Sequence, residues 1–319
     1  MTTNSPDSLS PNSNDLTKQE LQPVRSSSAS LQQLDTLNKK TAIKIKEIKS
    51  RGSIPGSITY QHEDLTIRVN EVLQFDENAD KIHNYALIQH ALTHKDKITI
   101  TLAEYMQLTG IKDRKTAREK LANAIHHVVG ITISRNNLDK LSKQQKKYEP
   151  FTHDTVIYID GSYSYGKGWL EFNPNLTKIM DKTTRPMIYP KKLFQLKGTA
   201  YYVLNALFYN KQVNYHNSLA RQNRMKLGSI LEKCPNLPTW DKVKNGNRNF
   251  GSRIIKPLKK AIEEDLTDEI ECCFLDQDGK TQLHIDNLPL DNFLQCFLVV
   301  TKWKDLNTDQ LDRLKKSRK

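Results

Sequence analysis

The sequence predicts an α+β fold, two tandem winged-helix domains preceded by a disordered N-terminal arm. Three observations predict it. Between Lys97 and Phe172 the residues read as strand, helix, tight turn, helix and then further strands. A similar order recurs between Thr199 and Ile285. Residues 1–36 are rich in Ser, Asn, Gln, Asp and Pro, with too few apolar groups to offset the entropy of ordering a chain. These features divide the 319 residues into an arm and basic linker (1–56), a first domain (57–188), a second domain (189–305) and a basic tail (306–319). The linker's basic run from Lys39 to Arg51 ends at the breakers Gly52, Pro55 and Gly56, and reads either as a solvated connector or as a phosphate-gripping arm.

In the first domain, Ile58 to Phe75 alternates as strands do, and Asp80 to Thr93 carries Ile82, Tyr85, Ala86 and Leu87 at helical spacing. Ile98 and Ile100 alternate in a short strand, and Thr101 with Glu104 forms a capping box that opens a helix running to Leu108. Gly110 ends that helix. Asp113 caps the next, whose apolar positions Ala117, Leu121, Ala124, Ile125 and Val128 recur at three and four. Strands are expected at Ile131 to Ser134, Val156 to Ile159 and Trp169 to Phe172, the last two separated by a flexible Gly161 to Gly168 stretch.

In the second domain, Thr199 to Tyr209 puts Ala200, Val203, Leu204, Leu207 and Phe208 on one helix face, and Met225 to Leu231 reads as a short helix. Ser252 to Asp265 follows as a candidate recognition helix with the apolar stripe Ile254, Ile255, Leu258, Ala261 and Ile262. Strands at Glu269 to Phe274 and Thr281 to Ile285 flank Asp278-Gly279, a type I′ hairpin signal.

Lys and Arg number 49 against 36 acidic residues, a net charge of +13 that favours a polyanionic partner. The four cysteines make no C-x-x-C pair, so zinc is not expected and the thiols read as reduced. No long apolar run or secretory leader is present, which points to the cytosol rather than a membrane. Gly161 to Lys167 approaches a phosphate-binding loop. Gly168, however, stands where Ser or Thr would hold magnesium, and a strand follows instead of a helix, so nucleotide is not expected. His126 and His127 are adjacent, a spacing that cannot ligate one metal from one helix face. No nucleophilic triad or paired-carboxylate site stands out. The expectation is a non-enzyme without cofactor or metal.

Two stretches resemble the plasmid replication initiators of the iteron-binding type, a family with two tandem winged-helix domains. One is Ile159 to Met180, where a Ser-Tyr-rich turn with Gly-Lys-Gly runs into Trp169-Leu-Glu-Phe-Asn-Pro-Asn-Leu176. The other is Arg253-Ile-Ile-Lys-Pro-Leu-Lys-Lys-Ala-Ile262, similar to that family's second recognition helix with its internal proline. An interior proline costs a helix about 3 kcal/mol, so its presence in this pattern is informative. The resemblance implies binding of direct repeats at an origin as monomers, repression of its own promoter as dimers, and recruitment of the host initiator and helicase.

For DNA contact the candidates in the second domain are Asn247, Arg248, Asn249, Ser252, Arg253, Lys256 and Lys260. Asparagine can pair with adenine and arginine with guanine, while lysine mostly holds phosphate. In the first domain they are Lys112, Arg114, Lys115 and Arg118, on helices that could equally serve dimerisation. Tyr163, Tyr165 and Lys167 would touch backbone or minor groove if the wing is not a plain surface hairpin. Two other functions stay open: a winged-helix transcriptional regulator, and a rolling-circle nuclease, which would need a His-apolar-His metal site beside a nucleophilic tyrosine, a spacing this sequence lacks.

Overall fold

A computed structural model describes residues 24–27, 57–62, 65–70, 76–129, 131–135, 155–183, 185–190, 192–214, 218–244, 249–304, 306 and 310. Strands β1 (Val24–Ser27), β2 (Ser57–His62) and β3 (Leu65–Asn70) precede helix α1 (Glu77–Thr93). Strand β4 (Lys97–Thr101) turns Ile98 and Ile100 inward and runs straight into α2 (Leu102–Thr109). The capping box forms as expected, with Glu104 N donating to Thr101 Oγ1 at 3.1 Å and Thr101 N to Glu104 Oε2 at 2.6 Å. Gly110, at φ 68°, ends α2 in the left-handed region. Asp113 then opens α3 (Arg114–Val129), accepting from Thr116 N at 2.6 Å. All five apolar stripe residues of α3 are buried.

The sheet that closes this unit is β4 with β7 (Tyr158–Ser164) and β8 (Lys167–Phe172), all antiparallel in the order β4-β8-β7. Strands β5 (Ile131–Arg135) and β6 (Thr155–Val156) join β2 and β3 in a separate sheet, so the segment at Ile131 is not part of the wing. The expected flexible stretch Gly161 to Gly168 is a tight hairpin, with Tyr165-Gly166 as its two-residue turn. Its glycines allow close packing. A Cβ on Gly168 would lie 2.3 Å from Ile125 Cδ1, and one on Gly161 2.7 Å from Val129 Cγ2, so α3 could not seat on the hairpin.

After α4 (Pro174–Thr183) and β9 (Arg185–Ile188), a 3-10 turn at Leu193–Gln195 leads to α5 (Gly198–Val213). Then come α6 (Leu219–Asn223), β10 (Arg224–Lys226), α7 (Leu227–Leu231) and α8 (Trp240–Lys244). Met225, expected in a helix, is a buried strand residue, and β10 passes into α7 as β4 passes into α2. Helix α9 is built of three contiguous segments, Gly251–Ile255, Lys256–Lys260 and Ala261–Asp265. The first is a widened π turn in which Lys256 N donates to Gly251 O. Its placement follows from Pro257, which has no N–H and whose ring would clash with the carbonyl of Arg253 in a regular α turn.

Strands β11 (Ile270–Leu275), β12 (Gln282–Leu283) and β13 (Phe297–Trp303) complete an antiparallel sheet in the order β10-β13-β11-β12. Both units therefore share one winged-helix plan, helix, strand, helix, helix and a two-stranded return onto the first strand, to which the second unit adds α6 before its strand and α8 before α9. The Asp278-Gly279 turn is not type I′. Gly279 has φ 69°, but among the described residues only His94 and Tyr165 are non-glycines with positive φ. Asp276 instead organises a wider loop, its Oδ1 accepting from Lys280 N at 2.9 Å and its N donating to Thr281 O at 2.9 Å.

Val24–Ser27, expected within the disordered arm, pairs as β1 with β9, from Val24↔Ile188 to Ser27↔Arg185. Strand addition satisfies backbone groups without demanding local apolar content, which is why composition misses it. Residues 1–23 and 28–56, and most of the 306–319 tail, lie outside the described residues. On the far side of β9, the Gln212 side chain accepts from Ile188 N at 2.7 Å and donates to Ile188 O at 2.8 Å, tying the pair to α5.

Each unit has its own apolar core, and α1 and α5 join them. Tyr201 Oη donates to Asp80 Oδ2 at 2.7 Å and accepts from Asn84 Nδ2 at 3.2 Å, all three side chains being buried. Beside them the Glu77 carboxylate accepts from Lys81 Nζ at 2.7 Å and from Gly198 N at 2.6 Å. Lys81 also donates to Leu196 O at 2.6 Å, and burial lowers its pKa against the opposing pull of Glu77. Ile88 of α1 packs in the second core, and Tyr85 and Leu108 lie against both. Helices α1 and α5 are consequently buried on nearly every side, not along single stripes.

Tyr201→Phe should cost about 1–3 kcal/mol in urea unfolding, because Asp80 loses a buried donor; unchanged stability would mean that the network contributes nothing. Burial, helped by the charge of Glu104, raises Tyr85 from 10.0 to about 12, and burial with Asp80 raises Tyr201 as well. A raised phenol pKa adds stability below the unfolded value of 10.0, and that stability is lost as pH rises through the folded value. Alkaline titration should therefore show loss of circular dichroism above pH 10.0 accompanied by a cooperative step in tyrosinate absorbance from the buried phenols.

Candidate nucleic-acid interface

In the first unit, α3 packs its apolar stripe on α1 and on the β7–β8 hairpin. The opposite face is left to solvent, and Lys112, Arg114, Lys115 and Arg118 all lie on it or just before it, exposed. The first turn of α3 holds no acidic residue. Its cap, Asp113, is kept ionised below the usual carboxylate range by hydrogen bonds from Thr116. Cations at a helix N-terminus work against the macrodipole, so internal stability does not explain their placement.

In the second unit, Ser252, Arg253, Lys256 and Lys260 are exposed along α9, and Asn249 is half-buried just before it. Asn247 and Arg248 lie outside the described residues. Lys259 is different: its ammonium pairs with Asp286, which raises the lysine pKa and lowers that of the carboxyl. The charge order of α9 is again opposite to what its dipole favours, with Arg253 and Lys256 early and the exposed Glu263, Glu264 and Asp265 at the end. Phe250 anchors the start of α9, its ring 5.1 Å from Phe293, which also stacks on Trp240 at 5.4 Å.

The chain between the units touches both candidate surfaces. Gln195 Cγ lies 3.9 Å from where a Cβ would stand on Gly110, in the turn between α2 and α3. Gln195 also lines a cleft with Lys197, Asn236, Pro257, Lys260 and Asp265. The segment from Gln195 to Gly198 therefore borders the helix-turn-helix corner of one unit and the exposed side of α9 in the other.

On the first wing Tyr165 and Lys167 are exposed. Tyr163 is not presented in the same way. Its ring packs against the first core and its hydroxyl is buried, so it supports the hairpin from beneath. Two further cations near the strands carried no motif in the sequence, Lys97 over the Trp169 ring at 3.9 Å and Arg224 over the Phe297 ring at 4.4 Å. Cross-strand placement brings these pairs together, through Thr99↔Trp169 and Arg224↔Val299, and local spacing could not reveal them.

No family model matches the chain, and no curated protein does either. Among solved structures it is similar to a crystal structure of the Pi initiator protein in complex with iteron DNA. Identity is 14%, coverage 76% of this chain and 99% of that one, and TM-score 0.44. A crystal structure of domains 2 and 3 of RctB is similar at 12% identity, covering 79% of this chain and 92% of that one, with TM-score 0.46.

Among the described residues no group of three or more His, Cys, Asp or Glu could hold a metal, and no helix is long and apolar enough to cross a membrane. His126 is exposed and His127 half-buried on α3. Amine-directed labelling with mass spectrometry should modify Lys112, Lys115, Lys256 and Lys260 fastest, Lys259 more slowly, and Lys81 last. Equal rates for Lys256 and Lys81 would contradict the assigned exposures.

Proposed function

We propose that this chain binds duplex DNA with both units at once, α3 and α9 entering successive major grooves of one site. The observation that carries the reading is the pair of exposed, cationic helix starts, each set against its own helix dipole, on two winged helices joined by a buried polar junction. Major-groove readout by the N-terminal residues of a recognition helix needs this arrangement. Arg253 and Ser252 are the residues placed for base edges in the second unit, with Lys256 and Lys260 for phosphate. In the first unit Arg114, Lys115 and Arg118 take those parts.

The resemblance of Ile159 to Met180 and Arg253 to Ile262 to iteron-binding initiators supports a biological role. The chain initiates plasmid replication from direct repeats at an origin, without catalysis of its own, and represses its own promoter. Footprinting on DNA flanking the gene tests this. Each repeat should show two protected patches about one helical turn, roughly 10 bp, apart on one face. A single palindromic operator would favour a regulator, and a covalent nicked product formed with magnesium would make it a nuclease.

Arg253→Ala should weaken specific binding by about 1–3 kcal/mol and relax preference at one base pair. Lys256→Ala should weaken binding to all sequences alike and lower the salt slope by about 1. Equal losses on random DNA for both variants would reduce Arg253 to a phosphate contact.

A further inference from the structure

We infer that Tyr165 is a wedge, which the first wing sets into the minor groove to unstack the base step beneath it; the inference rests on the DNA-binding reading above. The turn that carries it is the two-residue corner between β7 and β8, where Tyr165 has φ 47° and Gly166 φ 80°. Such a corner favours Asn, Asp or Gly at its first position, and a bulky aromatic there is strained. The fold recovers nothing from the ring. It is 106% exposed and belongs to no core, and a Cβ added to Gly166 would meet nothing within 4 Å.

The corner is nonetheless held in place. Ser164 pairs with Lys167 to close it, and Leu102 N, at the start of α2, donates to Gly166 O at 2.8 Å. A rigid turn therefore holds a large, flat, uncommitted ring beyond the end of the sheet, so little ordering entropy is left for binding to supply. Exposed Lys167 sits next to the turn, directly across from Thr101 of β4. A cation beside the tip suits a groove walled by phosphates, and a two-residue tip suits the narrow one, about 6 Å wide. Side chains inserted between base steps from that groove unstack and kink the duplex.

The test uses the full chain and a duplex that the wild-type protein selects from a random pool, with 2-aminopurine placed in turn at each position of the protected site. Tyr165→Asn keeps the left-handed corner and removes the ring; Tyr165→Phe keeps the ring. The asparagine variant should melt a few degrees higher, bind about tenfold more weakly, and lose the rise in 2-aminopurine fluorescence that wild type gives at one step. The phenylalanine variant should retain both binding and fluorescence. Wild-type affinity and fluorescence in Tyr165→Asn, or weaker binding with the fluorescence rise intact, would overturn the wedge while leaving DNA binding standing. A lower melting temperature for Tyr165→Asn would also overturn it, since the ring would then serve the fold. Failure of the wild-type chain to select any duplex would remove the DNA-binding reading itself, and the wedge with it.

Discussion

The buried contact between Tyr201 and Asp80 fixes how the two halves of this molecule face each other. A phenol at the start of α5 meets a carboxylate on α1 inside the fold, with Asn84 donating to the same hydroxyl. Glu77 reinforces the arrangement by accepting both from Lys81 and from the backbone at the N-terminus of α5. In a medium of low polarity each of these groups is costly alone, so the network stabilises one relative placement and penalises others. Because α1 and α5 are the first helices of the two winged units, their mutual placement also sets that of α3 and α9. The strand pair β1–β9, held to α5 through Gln212, reinforces the same junction from the linker side.

Against this settled interior, the surface accepts several local costs. Cations stand at the beginnings of α3 and α9 and acids at the end of α9, where dipole interactions of about 0.3–1 kcal/mol per charge would favour the reverse. Lys259 is spared by its partner Asp286, while Arg253, Lys256 and Lys260 stay exposed. Tyr165 occupies a corner better suited to asparagine. Under the proposed DNA-binding reading, the cations at the starts of α3 and α9 recover their cost when each meets a phosphate.

Much of the plan was legible locally. Thr101 with Glu104, Asp113, Gly110 and the apolar stripes of α3 and α9 act through neighbours three or four residues away, and all stand as the spacing predicts. What escaped depends on distant partners. Glu77, Asp80, Lys81 and Asn84 look like a solvated helix face until Gly198, Tyr201 and Leu196 arrive from the other unit. Gly161 and Gly168 read as flexible but serve the close approach of Val129 and Ile125. Strand β13 has buried Leu298 and Val300 in alternation, yet Asp278-Gly279 suggested a nearer partner for β11. At the candidate interface, spacing identified the cations of α3 and α9, whereas the inward turn of Tyr163 and the pairing of Lys97 with Trp169 needed the folded sheet.

The buried junction holds α3 and α9 in one fixed relation in the free protein. Pulsed electron-electron resonance between spin labels at Lys115 and Lys256, introduced on non-native amino acids so that the four cysteines stay in place, measures it directly. A single narrow distance distribution in the free protein, broadened by Tyr201→Phe, is the predicted result. A broad distribution in the unmodified chain would contradict the account.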